Sequence, residues 1–193
     1  PHDVLLLPNG HLVLVTIQAR AGVDLTAIGG PADASVCDHV IQEIDPRSAT
    51  AVWTWDTADH IPVTEMDPQW FPSMIAEGPS AAGCGYEVYH WNAIEPTGTG
   101  FIVSFRHLDA IYAIDRATGA VSWKLGGSTR PESLRILGDP VFTDGSHFGG
   151  QHDSRLEPDG TVTLFDDGTD LGRAPRAVRY AIDPVARTAT LVD

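Results

Sequence analysis

The sequence predicts an all-β protein, and more specifically part of a β-propeller. The first observation is a repeat in which a histidine is followed by proline at plus six and by glycine at plus eight. This spacing occurs without gaps at His2, His90 and His152. The second observation is that each copy continues with apolar runs separated by turn residues, which is typical of four short antiparallel strands. A four-stranded unit repeated along a chain is one blade of a propeller.

Composition sets the limits around this prediction. A chain of 193 residues, 42% of them hydrophobic, can bury a sizeable core. The formal net charge is −14 and no stripe of lysine or arginine occurs, which argues against a surface for nucleic acid or anionic lipid. No stretch is long and apolar enough to span a bilayer. Because the first histidine of the repeat stands directly after Pro1, with no signal-like segment before it, we expect a piece of a longer product.

The first blade is predicted over residues 2–56. Apolar runs indicate strands at 2–7, 11–17, 37–45 and 50–55, and residues 20–35 are predicted as an inserted loop. Two further histidines fall inside this blade, His11 after the first turn and His39 on an outer strand. We expect both to be solvated surface residues rather than ligands.

Residues 57–86 are predicted to leave the blade and to form an excursion over one face. Trp70 and Phe71 stand there between two prolines, and long structured loops in compact domains are often functional. Asp59 and His60 are adjacent in this excursion. They are predicted either to form a hydrogen-bonded pair that fixes the loop or to supply His60 as an additional site residue.

The second blade is predicted over residues 87–125 and the third over 151–193. A long loop at 126–150, rich in glycine, serine, proline and aspartate, separates them. The two cysteines, Cys37 and Cys84, lack the CxxC spacing of a zinc or redox site. They are either two buried thiols or one disulfide that ties the first blade to the segment entering the second. A disulfide would require an oxidising compartment.

The three motif histidines are predicted to converge. In a propeller the innermost strands of all blades run in the same direction along the central axis, so residues at their starts gather at one end of the channel. In the hairpin centred on Gly98, residues equidistant from the turn face each other, which would place Arg106 across from His90. Asn92, two residues after His90, would point to the same side of the strand.

Three interpretations of this histidine cluster are open from the residues alone. Duplicated blades could keep a polar residue at a solvated channel mouth without any function. Three imidazoles could hold a transition metal. A cationic pocket could bind a tetrahedral oxyanion such as sulfate or phosphate. Arg106 favours the last, because a fixed positive charge repels a metal dication whereas a guanidinium binds an oxyanion with two bonds. A neutral histidine there could be a nucleophile or a general acid and base.

Five stretches of the chain resemble the arylsulfotransferase family, in particular its shorter bacterial and fungal branch. They are HDVLLLPNG, VWTWDTADHIPV, YHWNAI, SFRHLDAIYAIDRATGAVSWKLGG and GGQHDSRLEPDGTVTLFDDG. The resemblance covers nearly the whole chain. Its most specific parts are the Phe-Arg-His stretch that ends in Leu-Gly-Gly and the Gln-His-Asp stretch that ends in Phe-Asp-Asp-Gly.

The resemblance implies a six-bladed β-propeller enzyme, periplasmic or secreted, that moves a sulfuryl group from a phenolic sulfate ester to a phenol acceptor. It implies neither a nucleotide sulfate donor nor a metal or other cofactor. The family motif places the transiently sulfated histidine of a ping-pong mechanism on His152. His2, His90, Asn92 and Arg106 would bind the sulfuryl oxygens and handle protons. The alternative is a non-catalytic or metal-binding propeller that serves as a ligand- or protein-binding module.

The residues around His152 agree with that assignment. Gln151 and Asp153 flank it, and a long loop presents it. In a strand these neighbours would point to the opposite face and orient the backbone and an adjoining blade, leaving the imidazole in the channel.

Three blades do not close a ring. We therefore expect about three further blades in the full protein. Exposed edge strands are an aggregation hazard, so these 193 residues alone are expected to be poorly soluble or to form a homodimer.

Overall fold

The structure is a computed structural model and describes residues 3–80, 83–142 and 147–193. Strands dominate these residues and form three sheets whose neighbouring strands are antiparallel except for one parallel pair, so the predicted all-β class is confirmed. The chain divides into two compact units, Pro1–His90 and Trp91–Asp193. None of the described helices has the length and apolar character needed to cross a membrane.

The first unit contains one sheet with the strand order β1-β2-β3-β4. The strands are β1 (Val4–Leu6), β2 (Leu12–Val23), β3 (Ala34–Asp45) and β4 (Thr50–Asp56). β2 and β3 extend well into the residues predicted as a loop, so that prediction is wrong for both ends of the loop. Arg20 supports the extension because its guanidinium binds the Asp38 carboxylate at 2.6 and 3.0 Å across the two strands.

After β4 the chain folds into short helical segments. These are α1 (Thr57–His60), 3-10 turns at Val63–Glu65 and Pro68–Trp70, and α2 (Phe71–Glu77). Asp56 caps α1, since its carboxylate accepts a hydrogen bond from the backbone N–H of Ala58 at 2.9 Å. His60 stacks on Trp55 with the ring centroids 4.6 Å apart. Ring stacking therefore holds His60 against the last strand of the sheet.

The prediction that His11 and His39 are solvated is wrong for His39 and incomplete for His11. His39 is 1% exposed, and its Nε2 lies 3.2 Å from the carboxylate of Glu87. The Tyr89 ring lies edge to face with the His39 imidazole, and the Thr57 hydroxyl of α1 accepts a hydrogen bond from the His39 backbone N–H at 2.9 Å. His11 is partly exposed, but its Nδ1 lies 2.7 Å from the buried carboxylate of Glu43.

A disulfide joins Cys37 in β3 to Cys84, which decides between the two alternatives for the cysteines. Backbone hydrogen bonds reinforce the link. The Cys37 N–H donates to the Tyr86 carbonyl at 2.9 Å, and the Tyr86 N–H donates to the Ser35 carbonyl at 2.7 Å. The segment that leads to His90 is thereby fastened to the third strand of the sheet.

The second unit contains two sheets. One has the order β5-β6-β7-β8 and consists of β5 (Trp91–Pro96), β6 (Gly100–Phe105), β7 (Ala110–Asp115) and β8 (Val121–Gly126). The other has the order β10-β11-β12-β13-β9. Its strands are β9 (Arg135–Leu137), β10 (His152–Leu156), β11 (Thr161–Asp166), β12 (Arg176–Asp183) and β13 (Thr188–Leu191).

The last sheet has five strands where four were predicted. The additional strand, β9, comes from the residues predicted as a loop and pairs in parallel with β13 at the outer edge. A 3-10 turn follows at Pro140–Phe142. Part of the segment between the second and third repeats is therefore regular structure that extends the sheet.

The hydrophobic core of the second unit lies between its two sheets and draws residues from β6, β7 and β8 on one side and β11, β12 and β13 on the other. Phe148, fully buried, joins it just before β10 and contacts the rings of Phe142 and Tyr180 edge to face. β5 packs against β10. The strands that follow the second and third motif histidines are therefore neighbours.

Candidate active site

His152 begins β10 and pairs with Phe165 of β11 in the ladder. The imidazole is 32% exposed. Its Nδ1 lies 2.8 Å from the Gly150 carbonyl oxygen and 3.1 Å from the Asp167 carboxylate. Both partners are acceptors, so Nδ1 carries the proton and, in the neutral ring, the lone pair lies on Nε2. The ring is therefore held in the tautomer whose nucleophilic nitrogen is Nε2.

Two glycines before His152 are held by backbone and carboxylate contacts. The Gly149 N–H donates to Asp166 at 2.9 Å, and the Gly149 carbonyl accepts from the Thr169 N–H at 3.0 Å. The Gly150 N–H donates to Asp109 at 2.6 Å. Both carboxylates are fully buried. We refer to Gly149 and Gly150 with these three hydrogen-bond partners as the glycine clamp.

Gln151 anchors the start of β10 to the neighbouring sheet. Its side-chain amide donates to the Ser104 hydroxyl at 3.0 Å and lies 3.1 Å from the carbonyls of Phe105 and Ala110. The residue has no exposed surface. This geometry agrees with the expectation that Gln151 orients the backbone against an adjoining sheet. The same expectation is wrong for Asp153, whose side chain is 67% exposed and bonds to Arg155.

Asn92 is close to the same backbone. It is 5% exposed and stands at a bulge of β5, between the ladder pairs of Trp91 and Ala93. Its amide Nδ2 donates to the Gln151 carbonyl at 2.7 Å. The structure thus brings Asn92 to the peptide that precedes His152, where one of its two amide hydrogens holds the backbone.

His90 and Arg106 are not a pair in the β5–β6 ladder. That ladder ends at Trp91 opposite Phe105, one step short of them. His90 has a φ of 51°, in the left-handed region, and Arg106 starts a 3-10 turn at Arg106–Leu108. The register expected for the hairpin is therefore present at Trp91 and Phe105, but the ladder does not continue to His90 and Arg106, because the backbone leaves the extended conformation at both residues. His90 closes the first unit, whereas Arg106 belongs to the second; His2 lies outside the described residues.

The family of the chain follows from a comparison with family models. A model described as Arylsulfotransferase (ASST) matches residues 1–193, the whole chain. The chain belongs to the arylsulfotransferase family. The resemblance carried by the motifs is thereby confirmed, and family membership indicates a function of the arylsulfotransferase type. A search of the curated proteins gave no match.

Arg106 connects indirectly to the glycine clamp of this arylsulfotransferase-family chain. The 3-10 turn that Arg106 begins ends at Asp109, whose N–H donates to the Arg106 carbonyl at 3.2 Å. Asp109 has a φ of 46°, and its carboxylate also lies 3.3 Å from Nδ1 of His147. The turn thus delivers a buried carboxylate to the Gly150 N–H.

A second set of buried charges supports the clamp from the other side. Asp166 lies 2.8 Å from the Arg173 guanidinium and 3.0 Å from that of Arg176. Arg176 also binds Asp139 with two bonds, at 2.8 and 2.9 Å, and the Tyr180 hydroxyl donates to the same Asp139 carboxylate. Each carboxylate therefore shares its charge with a guanidinium, which compensates for its burial.

These contacts shift the pKa values of Asp139 and Tyr180. Burial alone would raise the pKa of Asp139, but the hydrogen bonds from Arg176 and Tyr180 outweigh it and hold the pKa below its ordinary value. Burial, together with the Asp139 carboxylate, raises the pKa of the Tyr180 phenol. Asp139 is therefore an anion and Tyr180 a neutral donor at neutral pH.

Sequence reasoning missed the three aspartates around His152. Asp166 and Asp167 lie in the Phe-Asp-Asp-Gly stretch, which was noted only as a family motif. The hairpin register offered a signal for Asp167, since His152 pairs with Phe165 and Asp167 follows two residues later. Asp109 had no such signal, because 41 positions separate it from Gly150.

Proposed function

We propose that the protein is an aryl-sulfate sulfotransferase that transfers a sulfuryl group from a phenolic sulfate ester to a phenol through a transient sulfohistidine at His152, without a nucleotide sulfate donor. Family membership supports the general activity. The observation that carries the assignment of the nucleophile is the geometry of His152, whose Nδ1 faces the Gly150 carbonyl and the Asp167 carboxylate. That geometry leaves Nε2 as the attacking nitrogen.

The chemistry proceeds in two displacements. Nε2 of His152 attacks the sulfur of the donor, the N–S bond forms, and the S–O bond to the aryl group breaks with its electron pair leaving on the phenolic oxygen. The acceptor phenol then attacks the same sulfur and returns the electron pair of the N–S bond to Nε2. A general base takes the proton of the acceptor phenol and, in a later turnover, transfers it to the departing donor phenolate.

The other predicted site residues have supporting roles in this proposal. Arg106 offers a guanidinium fork to the sulfuryl oxygens as charge develops on them. His90 and His2 handle protons on the donor and acceptor oxygens. Asn92 holds the peptide before His152 through its bond to the Gln151 carbonyl, at 2.7 Å.

We further propose that the three sheets are blades of a propeller, with six blades in the full ring as the family resemblance implies. The packing of β5 against β10 supports this, because these are the strands that the repeat places innermost. We also propose a periplasmic or secreted location. The Cys37–Cys84 disulfide supports it, since such bonds persist in oxidising compartments.

The activity is tested on the full-length protein with nitrophenyl sulfate as donor and an added phenol as acceptor. We expect nitrophenol release that depends on the acceptor and is unaffected by a chelator. Absence of transfer together with about one equivalent of a bound transition metal would instead support a metal-binding propeller. Absence of both would support a binding module.

The nucleophile is tested by rapid quench with donor alone, followed by mass spectrometry of the acid-labile label. His152→Ala should abolish both turnover and the label, whereas His90→Ala or Arg106→Ala should slow labelling without moving it. His11→Ala is a matched control, because His11 also presents Nδ1 to a carboxylate, that of Glu43 at 2.7 Å. It should leave the label on His152. A label on His90 or His2, or one that persists in His152→Ala, would contradict the assignment.

A further inference from the structure

We propose that Asp167 is a positioning residue for His152, whose carboxylate stabilises the positive charge that the imidazole acquires when Nε2 is sulfated. This inference rests on the proposed function. It assigns a role to a residue that neither the repeat nor the spacing of the motifs singled out.

The positive charge on the imidazole follows from the protons and electron pairs that move in the first displacement. Neutral His152 carries a proton on Nδ1, and its Nε2 lone pair becomes the N–S bond. The electron pair of the broken S–O bond leaves with the aryl oxygen, so the ring keeps the Nδ1 proton and gains one positive charge. The sulfuryl group on Nε2 remains negative, and the new positive charge is spread over the ring and its Nδ1–H.

Two acceptors face that proton, and they differ in what they provide. The Gly150 carbonyl at 2.8 Å is neutral and suffices to keep the proton on Nδ1. Asp167, at 3.1 Å, adds a full negative charge. A hydrogen bond to a charged partner is roughly twice as strong as a neutral one. The specific contribution of Asp167 is therefore to stabilise the charged ring rather than to choose the tautomer.

The surroundings hold Asp167 where this interaction requires it. Its neighbour Asp166 accepts the Gly149 N–H at 2.9 Å and is fixed by Arg173 and Arg176. On the other side, the Thr169 N–H donates to the Gly149 carbonyl at 3.0 Å. The peptide that bears Asp167 is thus fastened at both ends to the glycine that leads to His152. The carboxylate is 28% exposed, so water screens part of its field without removing it.

The test measures the equilibrium between the free enzyme and the enzyme sulfated on His152. The full-length protein is mixed with nitrophenyl sulfate and nitrophenol at fixed ratios, and the sulfated fraction is measured by mass spectrometry. Asp167→Asn keeps an oxygen acceptor for Nδ1–H but removes the charge, so the ratio of sulfated to free enzyme should fall about fivefold. Asp167→Glu should restore most of it. A variant that only disturbed packing would change thermal stability without changing this ratio.

Asp153→Asn is the matched control. It removes the same charge one residue from His152, but the Asp153 side chain is 67% exposed and bonds to Arg155. Its ratio of sulfated to free enzyme should stay within about twofold of the unsubstituted protein. An Asp167→Asn ratio equal to that of Asp153→Asn would overturn the inference.

A spectroscopic measurement separates failure of the inference from failure of the proposed function. In the proton NMR spectrum of the unsulfated protein, the Nδ1–H of His152 should resonate downfield because it is shared with a carboxylate. This resonance should move upfield in Asp167→Asn but not in Asp153→Asn. If no protein is sulfated, the proposed function fails and the inference fails with it. If the protein is sulfated, the proposed function stands and the resonance tests the inference separately. A resonance unchanged by Asp167→Asn overturns it.

Discussion

Gly149, three residues before the candidate nucleophile, has no room for a side chain. A Cβ built on it would lie 2.6 Å from the Thr169 nitrogen and 2.8 Å from the backbone of Gly168. Backbone atoms of a clamped turn do not move aside cheaply. A glycine is required here because the backbone segments at Gly149 and at residues 168–169 approach each other closely, and not because the backbone is left-handed.

We predict that Gly149→Ala destabilises the protein by about 1 to 3 kcal/mol, because the added methyl overpacks the site. It should also slow labelling of His152, since the clamp that positions the imidazole has to open. The measurements are urea-induced unfolding and the rapid-quench assay.

Gly98→Ala provides the comparison for this prediction. Gly98 lies in the turn between β5 and β6, and a Cβ there would meet nothing within 4 Å. Its unfolding free energy should change by less than about 1 kcal/mol, with labelling unaffected. Equal effects of the two substitutions would contradict the steric argument.

At the scale of elements, a charged network ties β11, β12 and the segment after β9 together. Arg176 of β12 binds Asp166 of β11 and Asp139, and Asp139 also accepts from Tyr180. The fifth strand of this sheet brings its chain directly to Asp139, which follows β9 by two residues. The strand that the sequence did not predict therefore delivers a carboxylate to the network behind the glycine clamp.

Asp139 should make stability depend on pH. Burial opposes ionisation, but the bonds from Arg176 and Tyr180 prevail, so the folded pKa lies below the ordinary value of 3.8. The unfolded chain then binds the proton at higher pH than the folded chain, so this stabilisation is present above 3.8 and is lost as pH falls through the folded pKa. The unfolding free energy should decline in that acid range.

Asp139→Asn should lower the unfolding free energy at neutral pH by about 3 kcal/mol, since one partner of a buried ion pair is removed. It should also flatten the decline in acid, which urea unfolding at a series of pH values would show. Asp33→Asn removes a carboxylate at an exposed position and should leave the unfolding free energy at neutral pH unchanged. A profile of Asp139→Asn parallel to that of the unsubstituted protein would refute the assignment to Asp139.

At the scale of the whole molecule, the disulfide makes the stability of the fold depend on whether the surroundings are oxidising or reducing. Cys37 and Cys84 are 47 positions apart, and the bond closes the loop that contains α1, α2 and the adjoining turns. A loop of this length corresponds to a stabilisation of about 4 kcal/mol in the chain-entropy account. The six-bladed ring and the export of the full protein stay predictions.

We predict that a Cys37→Ser/Cys84→Ser double variant loses stability by up to about 4 kcal/mol in urea unfolding. A reductant should destabilise the unsubstituted protein similarly and leave the double variant unchanged. Protein recovered from an oxidising compartment should be lighter by two hydrogen atoms than protein made in a reducing cytoplasm. Equal stability of the oxidised protein and the double variant would show that the bond contributes nothing to the fold.

The sequence by itself determined the class of the fold, the family and the candidate nucleophile. Strand positions followed from alternating apolar residues and turn residues, which act over a few positions and can be recognised locally. The gapless repeat singled out His2, His90 and His152 among the eight histidines, and the family motif and the flanking residues then favoured His152. Gln151, before His152, contacts an adjoining sheet as expected, whereas Asp153, for which the same was expected, is exposed and bonds to Arg155.

Only the tertiary structure decided which distant groups meet. Asp109 binds the Gly150 N–H although 41 positions separate them, and the disulfide joins cysteines 47 positions apart. β9 pairs in parallel with β13. No local sequence pattern specifies these three contacts. His39 is buried beside Glu87 and Tyr89, which are distant from it in the sequence. The ladder expected to pair His90 with Arg106 stops one step before them, because hairpin symmetry describes regular strands and the backbone leaves the extended conformation at both residues.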